Sequence, residues 1–228
     1  MSSFVASHAQ SLKGKIKVPG DKSISHRSIM LGSIANGVTR VSGFLEGEDA
    51  LSTLKAFQDM GVKIEREGSN VTIHGVGMHG LKAPVDPLDL GNSGTSMRSM
   101  SGLLSAQSFD CELHGDESLT KRPMGRVIDP LSTMGAIIDS QDSKPPLVIK
   151  GGQKLGAIDY TLPVASAQIK SCLMFAGLYA NGPVTVIEHL ETRNHTELMF
   201  QQFGIAVEVN ETGKARKIKV TPPKSFLA

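Results

Sequence analysis

Five short segments gather cations beside hydroxyl and amide groups: PGDKSISHR (19–27), LGNSGTSMR (90–98), LTKRPMGR (119–126), PVASAQIKS (163–171) and ETRNH (191–195). Lys22, Arg27, Arg122 and Arg193 can supply full positive charge. Ser23, Thr95, Ser166 and Gln168 add neutral hydrogen bonds, and Gly94 lets a backbone approach closely. That combination suits carboxylate or phosphate groups. A helix mouth already favours anions, so cations placed there make sense if a ligand carries the negative charge. The same residues have plainer uses. Pro-Gly followed by Asp or Ser is an ordinary helix start. Arg98 and Lys170 could pair with carboxylates, Gln168 could cap a helix, and Arg122 before Pro123 could be a solvated loop cation.

Composition narrows the partners. The chain has 228 residues, 39% hydrophobic and 20% charged, with a formal net charge of +2. It is long enough for one large domain or two small ones, and it carries no broad basic face of the nucleic-acid-binding kind. Trp is absent and only two Tyr occur, leaving few platforms on which bases could stack. Cys111 and Cys172 do not make a disulfide framework. His74 and His79, the nearest pair of histidines, lie in a Gly-rich turn without metal-ligand spacing. The N-terminal MSSFVASHAQSLKGK has neither the basic nor the apolar region of a secretion signal. No apolar run approaches the roughly 18 residues of a membrane span. The expected setting is a reducing cytoplasm, with no metal, cofactor, membrane or nucleic acid.

The segments are positioned by a repeat. DMGVKI, TMGAII and QFGIAV each end a helical stretch and enter a strand, with Gly61, Gly135 and Gly204 spaced 74 and 69 residues apart. SISHR, GTSMR and ASAQIK each open an apolar helix, with Arg27, Arg98 and Lys170 spaced 71 and 72 apart. Two landmarks with nearly one lag indicate three copies of one unit. Each reads helix, strand, helix, strand, strand. KIKV (15–18) is expected as a strand leading into the first copy, whose first helix should close at Gly37. Asp49 should cap the second helix, with Leu51, Leu54 and Phe57 on one face. VKIERE and NVTIHG should pair across Gly68-Ser69. Pro123 reads as a first-turn proline, and Asn194 with Glu197 as a capping box.

SCLMFAGLYA is apolar on nearly every face, the mark of a helix buried all round, whereas TELMFQQFG is two-faced. Three central helices inside sheets and amphipathic helices fit this pattern. Their N-termini, pointing one way, would form a single anion-binding face. GVGMHG (75–80) imitates a dinucleotide fingerprint, but Pro84 and Pro87 forbid the helix that must follow.

PGDKSISHR, LGNSGTSMR, KRPMGR and VASAQIKS, in this order and spacing, resemble the 5-enolpyruvylshikimate-3-phosphate synthase family from about Leu12 to Pro223. The resemblance implies an α/β fold of two similar domains, each an inside-out barrel of three βαβαββ units around buried central helices. The units would span about 20–82, 90–152 and 158–222, after a tail at 1–11. Residues 224–228 would begin the crossover to a second domain absent from this chain, which by itself is expected to be inactive. The implied reaction transfers the carboxyvinyl group of phosphoenolpyruvate to the 5-hydroxyl of shikimate 3-phosphate and releases phosphate.

By the family pattern Lys22 touches both substrates and is the catalytic candidate. Ser23 and Arg27 take the carboxylate side of shikimate 3-phosphate, Ser166, Ala167 and Arg193 its phosphate, and Gln168 its ring and the incoming enolpyruvate. Gly94, Thr95 and Arg122 bind phosphoenolpyruvate or the inhibitor glyphosate, with Asn92 and Arg98 supporting that loop. Some members carry a serine where Ala167 stands, and Arg193 can compensate with a full charge. The related UDP-N-acetylglucosamine enolpyruvyl transferase family usually has Asn after the Lys and a reactive Cys before Arg-Pro. Here the corresponding residues are Ser23 and GDESLTKRP, and Cys111 lies earlier in an expected strand. A shikimate 3-phosphate-binding half-protein without turnover is the other alternative. The shikimate 3-phosphate reading treats Arg27 as a cation whose loss costs binding while the thermal midpoint barely moves, whereas a mere helix start would leave binding unchanged.

Overall fold

A helix with no polar flank is stable in water only where neighbours cover it on every side. In the computed structural model, which describes residues 3–5, 7–8, 10–11, 13–213 and 215–228, three helices meet that condition. The first is α1 (Lys22–Ile34), buried from Ser25 onward, followed by β1 (Asn36–Val41), α2 (Glu48–Asp59), β2 (Lys63–Glu67) and β3 (Asn70–Val76). The second copy runs β4 (Leu88–Asp89), α3 (Gly94–Leu104), β5 (Cys111–His114), α4 (Glu117–Thr120), α5 (Gly125–Thr133), β6 (Ile137–Gln141) and β7 (Lys144–Lys150). The third runs β8 (Ile158–Thr161), α6 (Ala167–Gly177), β9 (Val184–Glu188), α7 (His195–Gln202), β10 (Val207–Thr212) and β11 (Ala215–Val220).

The repeat is explicit in the sheets. Their strand orders are β1-β3-β2, β4-β5-β7-β6 and β10-β11-β9-β8. Strands β4 and β8 run parallel to β5 and β9, and every other pairing is antiparallel. Among the described residues the first sheet has no such leading strand. Phe226–Ala228 stand in its place: Asn36 forms a parallel bridge with Leu227, its N–H donates to Phe226 O (2.9 Å), and Ala228 N–H donates to Asn36 O (3.0 Å). Residues 15–18, expected as a strand, form none and are exposed, because no ladder partner lies beside them among the described residues. The expected boundary at Leu12 lies outside the described residues.

Local signals explain most element ends. The landmark glycines Gly61, Gly135 and Gly204 have φ of +87°, +101° and +73°, the left-handed turn that ends a helix and that side chains disfavour. The β2–β3 hairpin turns at Gly68-Ser69 as expected. Three boundaries differ. Helix α1 ends at Ala35, and Gly37 (φ +114°) already lies in β1, where it pairs with Gly75. Helix α2 is capped by Gly47, so Asp49 sits in the first turn with its carboxylate free to bind a cation. Pro123 precedes the α5 cap, Met124, rather than occupying the first turn.

The second helices behave as amphipathic ones: α2 buries Thr53, Leu54 and Phe57 and exposes its other flank, with Leu51 half-buried. In the core, Phe175 and Phe200 meet edge-on with centroids 5.3 Å apart. Complete burial of such a ring is worth about 1.5–3 kcal/mol. Helices α3 and α6 cross so closely that a Cβ on Gly102 would lie 2.0 Å from the Cys172 carbonyl oxygen. Backbone cannot yield there without parting the helices. Gly102→Ala should therefore destabilise the chain by on the order of 2 kcal/mol in urea unfolding. Gly156→Ala, where the nearest atom lies at an ordinary 3.6 Å, should stay within about 0.5 kcal/mol. Equal stabilities for the two variants would contradict the close crossing.

Candidate anion-binding site

The first N–H groups of a helix have no intrahelical partner, and a side-chain oxygen just ahead can accept one of them. All three buried helices use this device. Asp21 Oδ1 accepts from Ile24 N (2.8 Å), Ser93 Oγ from Ser96 N (3.1 Å) and Ser166 Oγ from Ile169 N (3.3 Å). Ser166, by accepting in this way, keeps its own proton for an anion. The three first turns converge. Arg27 Nη2 donates to Ser171 Oγ (2.5 Å), Arg98 Nη1 to Gln168 Oε1 (3.0 Å) and Gln168 Nε2 to Thr95 Oγ1 (3.4 Å). Ser23, Arg27, Thr95, Ala167, Gln168 and Arg193 line one cavity, together with His195. Its volume is about 20 Å³, room for roughly one or two water-sized groups. A charged oxygen group fits; the body of a substrate must lie across the mouth. The groove between residues 17–20 and 43–47 is larger, about 530 Å³, but gathers no cation beyond Lys17.

The cations divide into two groups. Arg27 is 5% exposed, and its Nε donates to Thr196 Oγ1 (2.6 Å) and its Nη1 to Ser23 O (2.9 Å). With three of five N–H groups engaged, it still has two to offer. Burial pushes its pKa down to about 10, opposed by Glu197 and assisted by Arg193, so it stays charged at neutral pH. Its burial overturns the expectation that Arg27 could be removed at little cost: its removal would leave a cavity in the core and take one hydrogen bond each from Thr196 and Ser171.

The second group surrounds Gly94. A Cβ there would lie 2.7 Å from Arg98 Nη1 and 3.2 Å from Arg122 Nη1. Arg98 makes no ion pair among the described residues, contrary to the plainer reading of it; it donates instead to Gln168 and to the Pro123 carbonyl (3.3 Å). Burial lowers its pKa, and Arg122 and Arg126 lower it further. Arg122 donates to Asn92 Oδ1, and Asn92 Nδ2 donates to Asp116 Oδ2 (2.7 Å), so the guanidinium is steered by an amide rather than neutralised by a carboxylate. Lys22 lines neither cluster: its half-exposed ammonium pairs with Asp49 in the first turn of α2.

Beneath the site the charges are matched. Lys170, fully buried, bridges Glu197 (2.5 Å) and Glu188 (3.3 Å), and Arg216 adds a contact to Glu188 (3.1 Å). This overturns the expected capping box. Asn194 does precede α7, but its side chain makes no cap bond and Glu197 turns inward to Lys170. A buried ammonium requires a carboxylate far more than an exposed helix end does. Reading the sequence also missed His195, Ser171 and Thr196. The latter two follow Lys170 and His195 directly, yet nothing local marks them.

A family profile described as EPSP synthase (3-phosphoshikimate 1-carboxyvinyltransferase) matches residues 7–228. The chain belongs to the EPSP synthase family. It is 67% identical to a 3-phosphoshikimate 1-carboxyvinyltransferase of Ruthia magnifica subsp. Calyptogena magnifica, over 92% of this chain and 48% of that protein. It is 56% identical to one of Legionella pneumophila, over 92% and 49%. The structure of EPSP synthase from Acinetobacter baumannii superposes with a TM-score of 0.88 at 56% identity, covering 94% of this chain and 48% of that one. The chain thus spans about half the length of these EPSP synthase relatives. Among its described residues no helix is long and apolar enough to cross a membrane.

One buried group ties the stability of this EPSP synthase family chain to pH. His26 is completely buried, bonded through Nδ1 to Thr53 Oγ1 (2.8 Å). Burial first, then Lys22 and Arg27, push its pKa down to about 4 against the opposing pull of Asp49 and Asp21. Between pH 6.5 and 4 the unfolded chain therefore holds the extra proton, and stability falls as pH drops through that window. The loss should be on the order of 3 kcal/mol. Urea unfolding at pH 7 and pH 4 should show His26→Asn losing less of its own stability than the wild type. An identical loss in both would mean that His26 is not the group titrating.

Proposed function

We propose that this chain is the part of a 3-phosphoshikimate 1-carboxyvinyltransferase that receives both substrates. The observation that carries the reading is the meeting of three capped helix N-termini with two guanidiniums, Arg98 and Arg122, that have no carboxylate partner among the described residues. Shikimate 3-phosphate and phosphoenolpyruvate each carry a carboxylate and a phosphate. At 4 Å a pair of opposite charges gains about 4 kcal/mol at an effective dielectric near 20, before desolvation.

In this reading Arg27 and Ser23 hold the shikimate carboxylate, and Ser166, Arg193 and the α6 N-terminus beside Ala167 hold its phosphate. Gln168, already bonded to Arg98 and Thr95, lies between the two ligands. Phosphoenolpyruvate sits over Gly94 against Arg122 and Arg98, with Thr95 alongside. A proton added to the methylene carbon makes C2 electrophilic. The 5-hydroxyl attacks C2 and loses its proton; the tetrahedral intermediate then loses phosphate from C2 and a proton from its methyl carbon, which restores the carbon–carbon double bond. Lys22 is the chain's candidate for moving one of these protons, with Asp49 holding its ammonium in the ground state. The remaining acid–base and charge-stabilising groups come from protein outside this chain, matching the relatives' greater length. That second part closes the site against water. The reaction runs in the cytoplasm.

Burial argues against a thiol mechanism of the UDP-N-acetylglucosamine kind: both Cys111 and Cys172 are buried and pushed up to about 12, far from a thiolate. Calorimetry tests the reading directly. The chain should bind shikimate 3-phosphate, and Arg193→Ala, at an exposed position, should weaken that binding about tenfold with little change in thermal midpoint, as loss of one charge-assisted hydrogen bond implies. No heat of binding in the wild type would sink the proposal. Phosphate release on adding a separately produced remainder of a relative would separate an enzyme half from a non-catalytic binder.

A further inference from the structure

Below the Gly94 cluster lies a closed ring of buried polar groups that no substrate contact requires. His26 on α1, Thr53 on α2, and Ser93 and Ser96 at the start of α3 are all 0% exposed. Nδ1 of His26 lies 2.8 Å from Thr53 Oγ1 and 3.2 Å from Ser96 Oγ, and Nε2 lies 3.5 Å from Ser93 Oγ. Thr53 Oγ1 and Ser96 Oγ are 2.5 Å apart, and Ser96 Oγ and Ser93 Oγ 2.6 Å. With the imidazole proton on Nε2, Thr53 donates to Nδ1, Ser96 to Thr53, Ser93 to Ser96, and Nε2–H closes the circuit on Ser93. With the proton on Nδ1 every bond reverses. Either circuit needs an imidazole with one donor and one acceptor, so a second proton would break it.

The ring ties together the three places where the site's pieces begin. Ser93 caps α3, accepting from Ser96 N–H through its side chain and from Met97 N–H through its carbonyl (3.0 Å). Gly94 and Thr95 are the next two residues of that turn. Thr53 Oγ1 also lies 3.3 Å from the Asp49 carbonyl one turn back in α2, and Asp49 is the partner of Lys22. The shikimate side has separate anchors: Arg27, Ser171 and Thr196 bond one another across α1, α6 and α7 without an atom of the ring. The sides meet at Gln168, which accepts from Arg98 Nη1 (3.0 Å) and donates to Thr95 Oγ1 through a long 3.4 Å contact, and neither bond includes an atom of the ring.

We propose that His26, Thr53, Ser96 and Ser93 form a positioning unit that sets the first turn of α3 against α1 and α2, so that the phosphoenolpyruvate side depends on it and the shikimate side does not. The ligand assigned to each side rests on the function proposed above. The test uses the chain itself and the variants Thr53→Val, which removes one hydroxyl at nearly constant volume, and Thr53→Ser, which keeps the hydroxyl and drops the methyl. In Thr53→Val the Ser96 and Met97 amides should exchange about tenfold faster, and phosphoenolpyruvate should bind about tenfold more weakly in saturating shikimate 3-phosphate, the scale of one buried hydrogen bond. Affinity for shikimate 3-phosphate alone should hold within about twofold, since its anchors keep their own bonds. Thr53→Ser should match the wild type in all three measurements. Unchanged amide exchange, equal weakening of both ligands, or a Ser variant as impaired as Val would each overturn the positioning unit. If the wild-type chain binds neither ligand, the proposed function fails, and amide exchange alone decides this inference. Should Thr53→Val not fold, Ser96→Ala is judged by the same Met97 exchange and binding criteria.

Discussion

Helices α1, α3 and α6 have almost no flank that can face water, and their burial from Ser25, Ser99 and Ile169 onward leaves their first turns to meet solvent. Each end arrives with unpaired N–H groups and a partial positive charge. Packing the three together therefore concentrates positive potential on one face before any cation is added. The contact between α3 and α6 is close enough to demand Gly102, which keeps Gln168 within reach of Arg98 and Thr95. Core packing and site geometry are one constraint in this fold.

The cations of the repeat met that constraint in three ways. Arg27, Arg98 and Lys170 hold equivalent places near the starts of equivalent helices. Lys170 is sealed in by Glu188 and Glu197 and carries no net field to the surface. Arg27 is buried too, but hydroxyls surround it, so its charge remains available. Arg98 faces two further arginines. A buried charge with a carboxylate serves stability, whereas one with only neutral partners remains poised for an anion. The neutral ring around His26 follows the same logic beneath the Gly94 turn, supplying fixed geometry without charge.

The three-unit plan was legible in the sequence because it rests on local chemistry. Gly61, Gly135 and Gly204 stand where a left-handed residue ends a helix, and period and apolarity separate the central helices from the amphipathic ones. The motifs carrying Ser23, Gly94, Arg122 and Gln168 sit at helix starts and tight turns, where a residue's role depends on its immediate neighbours. Local signals also misled. Asp49 and the Asn194–Glu197 pair have the form of caps, but each carboxylate is taken by a lysine distant in sequence: Lys22 and Lys170.

What the sequence determined by itself was the α/β class, the repeat and the family, all of which follow from nearest neighbours and spacing. Tertiary structure alone decided which cations stay unpaired among the described residues, that Arg27 is a core residue, that Phe226–Ala228 complete the first sheet beside β1, and that His26 closes a ring with Thr53, Ser93 and Ser96. The reason is physical. A charge, a donor or a sheet edge is satisfied by whatever lies within about 3 Å of it, and in a chain folded from three repeats that neighbour is tens to nearly two hundred residues away, as from Asn36 to Leu227.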